Sequence, residues 1–340
     1  MAKMVLITGG AGYIGSHVAR QLGQRGESLI ILDDLSTGHL DNVQHGQLVV
    51  GDAGNRELLD DLLSRHPIDT VLHFAARTSV PDSVRLPLEY YDTNTCLMHT
   101  LLSACARAGI QHFMFSSTAA VYALPALHLP ATEQSPTAPN NPYGRSKLMA
   151  EWMLRDLCAM TPMRYAILRY FNVAGSAAGA GLGPRGLQAG QLIKVACETA
   201  LGRRPFVEVF GTDYDTPDGT GIRDYIHVED LADAHVLALD YLRAQGASVT
   251  LNCGYGQGRS VREVLAAVGA ASGRTIPTVN RPRRPGDLPR MVADSHRLRG
   301  LLQWTPRHAD LATIVRSALD WEQAQAQPNP SEPASISHTG

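Results

Sequence analysis

Met4-Val5-Leu6-Ile7-Thr8-Gly9-Gly10-Ala11-Gly12-Tyr13-Ile14-Gly15 is a short apolar run that stops at a cluster of glycines, after which Ile14, Val18 and Leu22 recur at helical spacing. The pattern predicts a strand, a glycine turn and a helix. Glycines let a backbone approach a pyrophosphate closely, and a new helix N-terminus offers unpaired N–H groups with a partial positive charge. Gly9, Gly12, Tyr13, Ile14 and Gly15 are therefore candidates for an anion cradle.

A second buried run, Leu29-Ile30-Ile31-Leu32, ends in Asp33-Asp34 at about the 20-residue offset of a dinucleotide fingerprint. The Asp33 carboxylate suits a ribose diol and would repel a 2′-phosphate. With no arginine beside it, the pattern favours NAD over NADP.

Apolar strands then alternate with amphipathic helices. Leu48 to Val50 ends at Gly51-Asp52, Thr70 to Phe74 at Ala75-Ala76, and His112 to Phe115 at Ser116-Ser117-Thr118. This alternation predicts an α/β fold, a Rossmann-type doubly wound parallel sheet whose ligands lie beyond the carboxyl ends of the strands. Residues 1–170, with a return at about 229–253, make the dinucleotide domain. Residues 171–228 and 254–322 make a smaller, interleaved C-terminal substrate domain, and Gln323 to Gly340, rich in Gln, Pro and Ser, reads as a disordered tail.

Asn141-Pro142-Tyr143-Gly144-Arg145-Ser146-Lys147 opens a helix at Pro142, whose fixed φ and missing N–H suit a first turn. Tyr143 and Lys147, four apart, share one face. A cation beside a phenol favours the phenolate, so Tyr143 is a candidate base near neutral pH. A Tyr-x-x-x-Lys pair also arises by chance on many helices, and the surrounding motifs decide between the two readings. The run Arg281-Pro282-Arg283-Arg284-Pro285-Gly286-Asp287 is either a solvated loop or, with its arginines held in a restricted turn, a second phosphate site.

The 340 residues suggest roughly two domains and are 44% hydrophobic, ample for a core. Thirty Lys and Arg against 32 Asp and Glu leave a formal charge of −2, which gives no basic field for nucleic acid or an anionic membrane. The five scattered cysteines lack metal-ligand spacing and read as reduced. No run approaches the ~20 apolar residues of a membrane span, so a cytoplasmic enzyme without a metal is expected.

Taken together, the glycine loop, Ser116-Ser117-Thr118 and Tyr143-Gly144-Arg145-Ser146-Lys147 resemble the extended short-chain dehydrogenase/reductase family. Leu168-Arg169-Tyr170-Phe171-Asn172, Asp218-Gly219-Thr220-Gly221-Ile222-Arg223-Asp224-Tyr225-Ile226-His227-Val228 and Arg283-Arg284-Pro285-Gly286-Asp287 are similar to the branch that epimerises UDP-sugars. The resemblance implies interconversion of UDP-glucose and UDP-galactose: C4 oxidation with bound NAD, rotation of the 4-keto sugar and hydride return to its other face. Tyr143 would move the hydroxyl proton, Lys147 would lower its pKa and hold the nicotinamide ribose, and Thr118 would hydrogen-bond the sugar O4.

By the same resemblance Tyr13, Ile14, Asp33, Asp52, Ala53, Phe74, Ala75, Asn94 and Phe171 line NAD. Asn172, Gln191, Leu192, Glu208, Val209, Phe210, Arg223, Arg284 and Asp287 hold the UDP-sugar, and Met291 flanks the hexose. A homodimer built on the helices through Thr95 to Ala108 and Ser146 to Met160 is implied. Three positions depart from the common pattern: Thr118 for serine, Thr78 for a lysine near the cofactor phosphate, and Leu97-Met98 for Gly-Thr after Asn94. Epimerisation of another UDP-sugar is one alternative. A 4,6-dehydratase is another, but it needs an acid and a base where Ala119-Ala120 stand. A non-enzymatic NAD-binding protein would tolerate loss of Tyr143, Lys147 or Thr118, and all three are present.

Overall fold

A computed structural model describes residues 3–123, 129–186, 191–284 and 286–326. In chain order the strands are β1 Met4–Thr8, β2 Ser28–Asp33, β3 Gln47–Val50, β4 Ile68–His73, β5 His112–Thr118, β6 Arg164–Tyr170, β7 Asn172–Ala174, β8 Val207–Phe210, β9 Ile222–His227, β10 Val249–Cys253, β11 Gly258–Ser260, β12 Thr278–Arg281 and β13 Arg290–Met291. The helices are α1 Tyr13–Gln24, α2 Arg56–Arg65, α3 Val80–Arg85, α4 Pro87–Tyr91, α5 Leu97–Ala108, α6 Pro142–Met160, α7 Leu192–Ala200, α8 Val228–Arg243, α9 Val261–Ser272, α10 His296–Leu302 and α11 Leu311–Ala326.

Seven strands form one parallel sheet in the order β10-β6-β5-β4-β1-β2-β3. Val5, Leu6 and Ile7 are completely buried because helices cover both faces, which is why β1 reads as a continuous apolar run. On one face Val18 and Leu22 of α1 and Leu231 and Leu239 of α8 pack into the core. On the other Leu59 and Leu62 of α2, Leu101 and Leu102 of α5 and Leu154 of α6 do so. The strand order reverses between β1 and β4, opening a crevice at the carboxyl ends of the strands.

The smaller sheets come from the rest of the chain. β9 pairs with β7, β11 and β13, while β8 pairs with β12. β10 returns to the edge of the large sheet beside β6. α11 runs on to Ala326, four residues into the segment expected to be irregular, and the rest of that segment lies outside the described residues. Between α4 and α5 the helix widens into a π-turn at Asp92–Cys96.

Candidate active site

The glycine loop is shaped by close approach. Gly9 has φ 71°, and a Cβ there would meet the Ala75 nitrogen at 2.4 Å, so the loop lies directly against the end of β4. The N–H groups of Phe74 and Ala75 both donate to Thr8 O, at 2.8 and 3.1 Å. Helix α1 then starts at Gly12 with no side-chain cap and no acidic residue in its first turn. An uncapped, acid-free N-terminus facing the switch-point crevice fits a dinucleotide pyrophosphate.

Asp33 ends β2 with its carboxylate fixed by two main-chain donors, Ala11 N at 2.9 Å and Leu35 N at 2.9 Å. Burial nevertheless raises its pKa. Asp52 holds its own loop through Gly54 N, Ala53 is buried beside it, and Phe74 lies against the His235 ring. Ile14 is half-buried in the first turn of α1. Two side chains expected at the cofactor are engaged within the protein. The Tyr13 hydroxyl donates to Gly175 O at 2.6 Å, and Asn94, in the π-turn, accepts from Arg77 N and donates to Arg77 O and Ser146 Oγ.

Beyond β5 lies the reactive pair. Asn141 caps α6 by accepting from Gly144 N at 2.8 Å, with Pro142 in the first turn. A Cβ on Gly144 would strike Ala120 O at 2.3 Å, so α6 starts in contact with the turn that follows Thr118. Tyr143 and Thr118 are both buried, and the Thr118 side chain lies beside the Tyr143 phenol. Lys147 is 2% exposed; its ammonium donates to Ser116 O at 3.0 Å and lies 4.9 Å from the Phe115 ring centroid.

The electrostatics differ from the sequence expectation. Burial raises the Tyr143 phenol well above its usual value, aided by Tyr170, and the neighbouring Thr118 hydroxyl only partly offsets this. Burial also lowers Lys147 to about 7 against the opposing charge of Glu151. A lysine four residues along the helix thus does not by itself make Tyr143 a phenolate. Its ammonium is docked on β5, and removal from water costs the charged forms of both residues.

The substrate-side residues gather around β8, β9 and β13. Arg223 donates to Ile222 O and Leu288 O, at 2.9 and 2.8 Å, and stands 3.7 Å from Asp287. The Arg284 guanidinium stacks over Phe210 at 3.7 Å, and Asp287 N donates to Arg284 O, closing the turn. Asn140 Nδ2 donates to Gly286 O at 2.8 Å and ties that turn to the start of α6. Met291 sits opposite Arg223 in register and packs with Phe171, Leu148 and Ala119. Asn172 is exposed at the start of β7, and Gln191 and Leu192 open α7. Glu208 is paired with Arg281, and Val209 points into the core. Pro285 lies outside the described residues.

Three pairs of side chains at the site were given no role from sequence. Ser116 Oγ meets Tyr170 OH at 2.9 Å, Thr8 Oγ1 meets His73 Nδ1 at 2.7 Å, and Glu151 and Arg169 form a buried pair behind β5. Glu151 repeats the four-residue spacing of Tyr143 and Lys147, a signal that was available. Elsewhere His227, Glu229 and His308 bring possible metal ligands within 4.8 Å of one another. Both ring nitrogens of His227 are engaged, however, Nδ1 by Glu229 N and Nε2 by Ser317 Oγ, an arrangement that caps α8.

Residues 5–254 match the NAD dependent epimerase/dehydratase family, and the chain belongs to it. It is 54% identical over 324 residues to a UDP-glucose 4-epimerase from Azospirillum brasilense, covering 95% of this chain and 93% of that one. The fold matches that of UDP-glucose 4-epimerase from Brucella ovis in complex with NAD, with a TM-score of 0.90, 42% identity and coverage of 94% and 98%. It also matches the UDP-Glc/GlcNAc 4-epimerase from Campylobacter jejuni, with a TM-score of 0.83, 43% identity and coverage of 95% and 100%.

Proposed function

We propose that this chain is a UDP-glucose 4-epimerase, interconverting UDP-glucose and UDP-galactose through a 4-keto sugar. The observation that carries the reading is the Tyr143–Thr118 hydroxyl pair, buried at the carboxyl end of β5 beside Lys147. Bound NAD would supply the hydride acceptor and donor for C4 and, when oxidised, a positive charge that favours a phenolate.

The chain's own residues do the rest. Tyr143 takes the O4 proton and returns it, and Thr118 orients that oxygen from the other side of the phenol. Lys147, fixed on Ser116, holds the nicotinamide ribose. Gly9, Gly12, Tyr13, Ile14 and Gly15 cradle the pyrophosphate of NAD, and the fixed carboxylate of Asp33 receives the adenosine ribose. Asp52, Ala53, Phe74, Ala75, Asn94 and Phe171 complete the crevice. Arg223 and Arg284 neutralise the sugar-nucleotide diphosphate and Asp287 accepts from its ribose, while Asn172, Gln191, Leu192, Glu208, Val209 and Phe210 flank the nucleotide and sugar.

The division into a dinucleotide domain (1–170 with about 229–253) and a substrate domain (171–228 and 254–322) follows the separation of the large sheet from the smaller ones. Homodimerisation is supported by the outward face of α6, where Trp152 is 51% and Met149 37% exposed. A monomer by light scattering at micromolar concentration would refute it. A cytoplasmic location is supported by five free cysteines, and no helix among the described residues is long and apolar enough to cross a membrane; secretion of the native protein into the medium would contradict it.

Incubation with UDP-galactose and no added NAD tests the function. UDP-glucose is the expected product. A 4-keto-6-deoxy product would mean a dehydratase, and an unchanged substrate would mean a binding protein. Ala119–Val121 forms a short turn directly after Thr118 and places no acid or base there, which favours the epimerase.

A further inference from the structure

The face of α6 that carries Tyr143 and Lys147 continues, one turn on, to Glu151, which has no exposed surface. Its Oε1 accepts from Ser117 Oγ at 2.6 Å and Arg169 Nε at 2.9 Å. Oε2 accepts from Arg169 Nη2 at 2.5 Å and Arg155 Nη2 at 2.8 Å. Ser117 stands between Ser116, whose carbonyl accepts from Lys147, and Thr118, which lies beside Tyr143. Arg169 is the register partner of Ser117 on β6 and stacks over Tyr122, whose hydroxyl donates to Asn252 on β10.

A fully buried ion pair often contributes no more stability than well-packed apolar residues of the same volume, so stability alone is a weak reason for this one. Its position supplies another. We propose that Glu151 is a positioning residue for the reaction: its carboxylate, held by Ser117 and Arg169, fixes the reactive edge of α6 against β5 and sets a negative charge one turn along the same helix face from Lys147. This inference rests on the function proposed above.

The charges around Lys147 support it. On α6 it is neighboured by Tyr143 and Glu151. On β5 it meets Ser116 O and Phe115. On β4, His73 is kept neutral by burial, with the Lys147 charge adding to the effect. On β6, Tyr170 is a neutral phenol bonded to Ser116. One turn along α6 the Glu151 carboxylate opposes the downward pull of burial on Lys147. Arg169 and Arg155 face Glu151 itself.

The test uses full-length protein with its resident NAD. Glu151→Gln keeps the shape and removes the charge, while the double variant Glu151→Gln, Arg169→Met removes both charges and spares Arg169 from standing unpaired. The Lys147 titration is followed by NMR of its ¹³Cε, alongside the pH dependence of kcat and KM and thermal unfolding. The Lys147 midpoint is expected to fall by about one unit or more in Glu151→Gln, and by less in the double variant, where the opposing Arg169 cation is lost as well. The alkaline loss of kcat should move down with it, because the ammonium is lost at lower pH, while KM changes less than about threefold. If Glu151→Gln does not fold, the double variant decides. An unchanged Lys147 midpoint with kcat lowered equally at every pH would overturn the proposal. The midpoint is read without turnover, so a wild-type chain lacking epimerase activity would sink the function separately.

Discussion

The Lys147 ammonium donates to the main-chain oxygen of Ser116 at 3.0 Å, while one turn earlier on the same helix Tyr143 lies beside Thr118, two residues further along the same strand. Both contacts are made to a single strand, β5. The cation and the phenol are thus aligned by their common docking on that strand as well as by helical spacing.

Burial of that ammonium predicts a pH-dependent stability. The folded value, about 7, lies below the 10.5 of an ordinary lysine, so the folded state binds fewer protons between them. The contribution of Lys147 to stability is full above the unfolded value and is lost as pH falls through about 7. Lys147→Met removes the ionisation. In cofactor-free protein it should be more stable relative to wild type at pH 6 than at pH 10, by on the order of 3 kcal/mol. Urea denaturation at the two pH values measures this, and an equal difference at both would contradict it.

The three arginines of the 281–287 turn should behave differently. Arg281 is paired with Glu208 and Arg283 with Asp213, whereas Arg284 has no carboxylate partner among the described residues and stacks over Phe210. Arg284→Ala should raise KM for UDP-galactose by about 10-fold or more, as expected from losing a charge-assisted contact. Arg283→Ala should change it by less than about threefold. Steady-state kinetics on both variants checks the assignment, and equal effects would mean that the turn acts only as a diffuse positive patch.

Met291 is expected to govern the sugar. It is 8% exposed and packs with Phe171, and being unbranched it can move aside. UDP-glucose and UDP-galactose should be clearly preferred, with weak activity on UDP-N-acetylglucosamine. Met291→Ser should raise the N-acetyl activity, at a stability cost of roughly 2–4 kcal/mol for the lost volume. Met291→Tyr should abolish that activity. Ratios of kcat/KM for the two sugar pairs that stay constant across both variants would show that Met291 only fills the core.

Much of the fold was legible because the signals were local. The apolar run before Gly9, the offset to Asp33 and the strand ends at Asp52, Ala75 and Thr118 each lie within one βα unit, and Tyr143 and Lys147 announce themselves by helical spacing. What escaped depends on tertiary packing. Glu151 drew no reading from sequence, and only the approach of β5 and β6 buries its carboxylate. β11 and β13, three and two residues long, exist through pairing with β9, and no run so short carries a period. The burial that raises the Tyr143 phenol escaped for the same reason, since desolvation is a property of the packed site.

The most direct measurement is the rate of UDP-galactose conversion by Tyr143→Phe beside wild type, with no NAD added. The substitution removes one buried oxygen and leaves the apolar contacts of the ring. The variant should fold and retain NAD while kcat falls by about 10² to 10⁴, the range for loss of a general acid–base group. A variant with near-wild-type kcat would show that another group moves the proton and that Tyr143 is not the centre of the site.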